Sequence, residues 1–251
     1  MKQHSINLSA LLQCILVAII PIMLSSCGST LSSFQTAKTV EKNKLAAGFG
    51  VSISQRNDYA FVTEKDNDTL LAGSVPIFDF YGRFGISDEA DAGVKISPLS
   101  GEIILEGKYR FYENEKYYLN AAGGFGAGIT RLKGDSKVGD VVVNSWKLGV
   151  TNFYFPTYFS FNPSEYFSLY INPKYIFRIV NYKNFIEPSQ LRYTSHAYGC
   201  TYGVLWGHKS LNRSWIFKTT PSIAFEVTFV HDTELKKRIW QAGFGIGWNI
   251  R

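Results

Sequence analysis

Three stretches of the chain alternate glycine with large apolar residues: "LAAGFGVSIS" at 45–54, "AAGGFGAGIT" at 121–130 and "QAGFGIGWNI" at 241–250. Such alternation can cradle phosphate, but a dinucleotide site needs a strand, a glycine turn and then a helix. No helical pattern follows the third copy. The stretch "GEIILEGKY" at 101–109 has the outline of a phosphate loop, yet five residues separate its glycines where four are needed, and Tyr109 stands where Ser or Thr should. His231 and Asp232 are adjacent, as a base and its orienting acid could be, and His196 starts an apolar segment. Neighbours along a strand point to opposite faces, so the pair reads as a solvated loop and not a proton-transfer dyad. The carboxylates of "EKDND" at 64–68 could face a hard cation, but the glycine and distal glutamate of a calcium loop are missing. Cys200 has no base placed to activate it and reads as an apolar filler. The sequence therefore predicts no catalytic residue, no metal and no cofactor.

Composition turns attention to the scaffold. Of 251 residues, 45% are apolar, 16% aromatic and only 18% charged, yet the mean hydropathy is −0.05. Helical membrane proteins carry apolar runs of about 20 residues. Neutral hydropathy with many aromatics and glycines instead suits an outer-membrane barrel, in which half the strand positions are polar. The net charge of +6 is not gathered into a basic cluster of nucleic-acid type, so no nucleic-acid partner is expected.

The N-terminus reads as a targeting segment. Lys2 and His4 precede an apolar run from Leu8 to Leu24. The following Leu24-Ser25-Ser26-Cys27 resembles the bacterial lipobox. That resemblance implies removal of residues 1–26 and acylation of Cys27, by palmitate or a similar chain. It also implies sorting to the outer membrane, since Gly28 and not Asp follows the cysteine. Two or more acyl chains give stable anchoring. Residues 27–44 read as the acylated N-terminus and a polar linker. Within them "FQTAKT" resembles a segment found just after the lipidated cysteine of small outer-membrane barrel lipoproteins. With Cys14 in the signal and Cys27 acylated, Cys200 is left alone and no internal disulfide can form.

From Leu45 to Arg251 a period of two dominates. In the last segment Trp240, Ala242, Phe244, Ile246, Trp248 and Ile250 share one face, while glycines and polar residues occupy the other. A soluble barrel would turn the greasy face inward; a membrane barrel turns it to lipid. Ten such segments are predicted, at 45–55, 75–86, 91–98, 102–111, 116–130, 148–161, 166–178, 195–206, 215–229 and 240–250, with eight or twelve as alternatives. The fold class expected is all-β: a closed antiparallel transmembrane β-barrel. Every long connection (56–74, 131–147, 179–194) is odd-numbered, and turns such as "SDEA", "YENE" and "NPSE" are even-numbered. Short periplasmic turns alternating with longer outer loops place both termini in the periplasm, with the anchor in the inner leaflet.

By the same parity Asp79, Glu102, Glu106 and Glu226 face the lumen, with Arg83, Lys95, Lys108, Arg110, Lys174, Arg178 and Lys218. Charges in such an interior must pair or meet water. The sequence supports a plugged, salt-bridged lumen first and a narrow anion-favouring pore second. Inward glycines of the three repeats are expected to make room for Arg83, Arg110, Tyr154, Tyr170 and Lys174. Trp206, Trp215, Trp240 and Trp248 fall where interface aromatics collect. By strand number alone the chain is similar to ten-stranded outer-membrane proteases that use Asp and His above the barrel, which makes a rim enzyme the third reading. The first is a structural or surface-interaction barrel, with outer-membrane lipid and an extracellular or envelope protein as partners. The oligomeric state is not fixed by the sequence.

Overall fold

The computed structural model describes residues 31–55, 74–138, 141–164, 166–185, 189–207, 219–234 and 236–250. The predicted signal segment, Cys27, the acidic 64–68 stretch, Trp215 and Lys218 lie outside them. Ten strands form one closed antiparallel barrel. They are β1 (Leu45–Gln55), β2 (Ser74–Gly85), β3 (Ala90–Ser97), β4 (Glu102–Asn114), β5 (Leu119–Val138), β6 (Val141–Ser164), β7 (Phe167–Asn184), β8 (Ser189–Gly207), β9 (Thr219–Asp232) and β10 (Lys237–Ile250). Each pairs with its sequence neighbours. The ring closes where β1 meets β10, with Gly48 opposite Gly247 and Gly50 opposite Gly245. Closure leaves no strand edge unpaired, which is what a backbone in lipid requires.

The greasy face points outward. Phe80, Leu105, Phe125, Phe159, Ile171, Tyr202 and Phe225 are all exposed, whereas Asp79, Glu102, Asn152, Asn172 and Thr201 are fully buried inside. An apolar exterior around a polar interior is the inverse of a soluble barrel and defines a membrane-spanning one.

Two predicted loops are strand instead. β5 and β6 run on through 131–147 and leave only residues 139 and 140 between them; β7 and β8 do the same through 179–194. The physical reason is an inversion of the alternation. Beyond the apolar band, outward positions become polar (Arg131, Lys133, Lys147, Asn181, Lys183, Arg192) and inward ones apolar (Leu148, Val150, Val180, with Tyr182 and Tyr193 against them). The period of two persists while its sign changes, as expected where a strand leaves lipid for water. β5–β8 thus form a wall that rises past the shorter β2–β4. The rim where Leu45 and Ile250 lie is called the terminal rim below, and the opposite one the distal rim.

Candidate functional site: a lumen filled by the N-terminal segment

The stretch predicted to be a linker is largely inside the barrel. Leu31, Ser32, Phe34, Gln35, Thr36 and Ala37 are all buried. At Lys42 the chain bridges to Gly85 on the terminal rim, and Thr39 Oγ1 donates to the Asp88 carbonyl in the β2–β3 turn at 2.6 Å. Ala37 packs on Ala122 and Tyr158, three and six residues from the terminal-rim ends of β5 and β6. Leu31 packs on Ile176, Ala197, Val230 and Ile239. Val230 and Ile239 lie two residues from the distal ends of β9 and β10. Traced backward from β1, the segment climbs the lumen from the terminal rim toward the distal one.

A buried backbone without sheet partners must find hydrogen bonds elsewhere. Here lumen side chains supply them. Glu226 of β9 accepts from the Ser33 amide at 2.7 Å, the Phe34 amide at 2.8 Å and the Tyr170 hydroxyl at 3.0 Å. Consecutive amides converging on one carboxylate make a backbone nest, and Phe34 takes the left-handed φ of 46° that such a nest uses. Gln241 Oε1 accepts from the Leu31 amide at 2.8 Å, and Asp91 Oδ2 from the Val40 amide at 2.9 Å. The carbonyls are matched by cations and amides. Lys174 Nζ donates to Leu31 O at 2.5 Å, Lys95 Nζ to Ser32 O at 2.6 Å, Lys108 Nζ to Lys38 O at 2.6 Å and Asn172 Nδ2 to Gln35 O at 2.8 Å.

The remaining charges meet one another or neutral polar side chains. Arg83 bridges Asp91 and Glu106, and Asp79 accepts from Ser97. Glu102 accepts from Asn152 at 2.8 Å and Tyr154 at 2.7 Å. Arg178 donates to Asn152 at 3.0 Å and lies 3.7 Å from Asp232. Arg110 sits at the terminal rim beside Glu113, where a bulge between Arg110 and Tyr112 interrupts β4. Two lumen acids escape the sequence reading, Asp91 and Asp232; the second is the last residue of β9 and not part of a loop. The described lumen therefore holds six acids (Asp79, Asp91, Glu102, Glu106, Glu226, Asp232) against five bases (Arg83, Lys95, Lys108, Lys174, Arg178). Among the described residues no excess of base remains to favour an anion pore.

The glycine repeats also take a different partner. A Cβ on Gly50 would lie 2.2 Å from the Phe34 ring, and Cβ atoms on Gly243 and Gly245 would lie 2.9 and 2.8 Å from it. The first and third repeats together form the socket of Phe34. Only elsewhere do glycines face the residues expected from sequence, as Gly203 faces Tyr170 and Gly128 faces Tyr154. The signal that could have found the lumen segment is the inward amide side chains, Asn172 and Gln241, which ask for backbone partners.

At the distal rim His196 and His231 are outward. His196 Nδ1 lies 2.5 Å from the Tyr175 hydroxyl and its ring stacks on Tyr175; His231 lies edge-on to Tyr198. Asp232 points inward, so His231 and Asp232 do not meet. No group of three metal-ligating side chains occurs among the described residues. Trp206 and Trp240 are exposed near the terminal and distal rims, and Trp248 packs on Phe49 near the terminal rim at 5.9 Å between ring centres. Cys200 is a free thiol on the outward face.

These features define a ten-stranded membrane β-barrel with an internally bonded plug. No family model matches the chain. No curated protein matches it either. Among solved structures it is similar to the translocator domain of the autotransporter NalP from Neisseria meningitidis, at 9% identity over 97% of this chain and 96% of that one, with a TM-score of 0.47. It is also similar to Ail of Yersinia pestis in complex with a heparin analogue, at 11% identity over 82% and 97%, TM-score 0.40. The outer membrane protease OmpT of Escherichia coli matches at 11% over 86% and 98%, TM-score 0.37. At such low identity and superposition the fold rests on the strand ladder itself.

Proposed function

We propose that this is an outer-membrane lipoprotein whose barrel is sealed by its own N-terminal segment and whose role is structural or one of surface interaction, not transport or catalysis. The observation that carries the reading is the occupied lumen: residues 31–40 bond to side chains of β3, β4, β7, β9 and β10. The terminal rim is the periplasmic side, and the β5–β8 wall is the surface offered to an extracellular or envelope protein. A rim enzyme is set aside in this reading because, among the described strand residues, no acid faces His196 or His231 from the neighbouring strands.

The direction of the segment changes where the Cys27 anchor should lie. Leu31 bonds to Gln241, nine residues of β10 above the terminal-rim residue Ile250. At about 3.3 Å per residue and a tilt of about 40°, that is a height of about 23 Å. The four peptide steps from Cys27 to Leu31 span at most about 14 Å. An acylated Cys27 cannot return to the periplasmic leaflet while Leu31 is seated. The distal mouth is only about 10 Å from Gln241 and within reach. Geometry thus supports an outer-leaflet anchor in place of the inner-leaflet one expected from a free linker.

Planar-bilayer recording tests the sealed barrel. The purified full-length mature protein should show no discrete conductance steps. A variant lacking residues 31–40 should show them, because Glu226, Lys95, Lys108 and Lys174 would then meet water. Steps from the full-length protein would refute the reading.

A further inference from the structure

On the outward face of β5–β8, two rows of residues lie immediately beyond the apolar band. Strand pairing fixes their order. The row nearer the membrane is Arg131, Gly149, Asn181, Arg192; the next is Lys133, Lys147, Lys183, Gln190. Below them come Ile129, Thr151, Ile179 and Thr194, then the aromatic band of Phe153 and Phe177. Lys133, Lys147 and Lys183 are directly opposite one another on three adjacent strands. Directly opposed side chains sit about 5 Å apart, and like charges so placed repel. Neither row contains an acid.

The centre of this array is open. A Cβ added to Gly149 would meet nothing closer than the Asn181 carbonyl at 4.0 Å. The rows that flank Gly149 carry Arg131, Lys133, Lys147 and Lys183, with Asn181 beside it and Thr151 on the membrane side; the Lys183 ammonium lies 5.1 Å from the centre of the Phe185 ring. All are hydrogen-bond donors, and four are cations. An anion relieves the repulsion among the lysines, and guanidinium with ammonium groups is the donor set from which phosphate oxygens accept.

We infer that the Gly149 depression binds the phosphate of a lipid headgroup in the outer leaflet. A headgroup is favoured over a free anion because the depression borders Ile129, Ile179 and the aromatic band, where acyl chains lie. The inference rests on the barrel spanning a bilayer with its distal rim outward, as proposed above; heat-modifiable gel migration checks the span on its own, and the inference is independent of Cys27.

The test is native mass spectrometry of the detergent-solubilised full-length protein with phosphatidic acid, phosphatidylcholine or inorganic phosphate added. Phosphatidic acid adducts should exceed phosphatidylcholine adducts at least tenfold and weaken as ammonium acetate is raised. Lys147→Gln/Lys183→Gln should reduce them at least tenfold. Gly149→Leu, which fills the depression and leaves every charge in place, should do the same without changing heat-modifiable migration. Lys116→Gln, at the terminal rim, should leave them unchanged. Equal retention of phosphatidic acid by Gly149→Leu would overturn the site in favour of a diffuse basic surface. Displacement of phosphatidic acid by equimolar inorganic phosphate would overturn the lipid as its source.

Discussion

Replacing Gly50 by alanine puts a methyl group 2.2 Å from Cε2 of Phe34, with two more ring atoms at 2.8 Å. Ordinary carbon contacts begin near 3.5 Å, so ring or strand must move by about 1 Å. Gly50 is not among the positive-φ residues, so alanine brings no backbone strain of its own. Overpacking of this size costs about 1–3 kcal/mol. Phe34→Ala alone empties a buried socket, which costs about 3–5 kcal/mol by analogy with buried aromatic truncations. In the double variant the methyl meets only the vacated socket. Gly50→Ala should then be neutral, or stabilising by about 0.4–1 kcal/mol through the unfolded chain. The expected coupling is about 1–3 kcal/mol, well beyond the ~0.5 kcal/mol scatter of independent sites. Urea unfolding in lipid vesicles, followed by tryptophan fluorescence, measures it. Gly82→Ala is the control, because nothing lies within 4 Å of its Cβ position. Additive effects of Gly50→Ala and Phe34→Ala would show that Phe34 does not occupy the socket.

Glu226→Gln keeps the shape but exchanges one acceptor oxygen for a donor, and the Ser33 or Phe34 amide loses its partner. An unsatisfied buried amide costs about 1–3 kcal/mol, so chymotrypsin should cleave after Phe34 in the variant several-fold faster than in the parent; equal rates would remove Glu226 from the seating of the segment. Cells fed radiolabelled palmitate should incorporate it into the parent and not into Cys27→Ser; an unlabelled parent would remove the lipoprotein reading.

The alternation of β7, with Leu169, Ile171 and Tyr175 outward against Tyr170, Asn172 and Lys174, was legible because a strand in lipid separates its faces by polarity. The distal halves of β5–β8 were not, because at Thr151 and Ile179 the rule inverts: Lys147 faces out and Leu148 in. Parity assigned Arg83, Lys108, Lys174 and Glu226 to the lumen but could not name their partners. Those partners are backbone atoms of residues 31–40, and a polar stretch such as "FQTAKT" carries no periodicity that distinguishes a lumen-bound chain from a solvated linker. Asp232 was lost to a loop because β9 ends three residues later than its apolar run.

Amide hydrogen exchange of residues 31–40 in the folded, solubilised protein tests the sealed lumen most directly. The amides of Leu31, Ser33, Phe34 and Val40 have acceptors at 2.7 to 2.9 Å and should be protected to the same order as the β9 and β10 amides. Exchange of those amides at the rate of an unstructured peptide, in a barrel whose strands remain protected, would contradict the account.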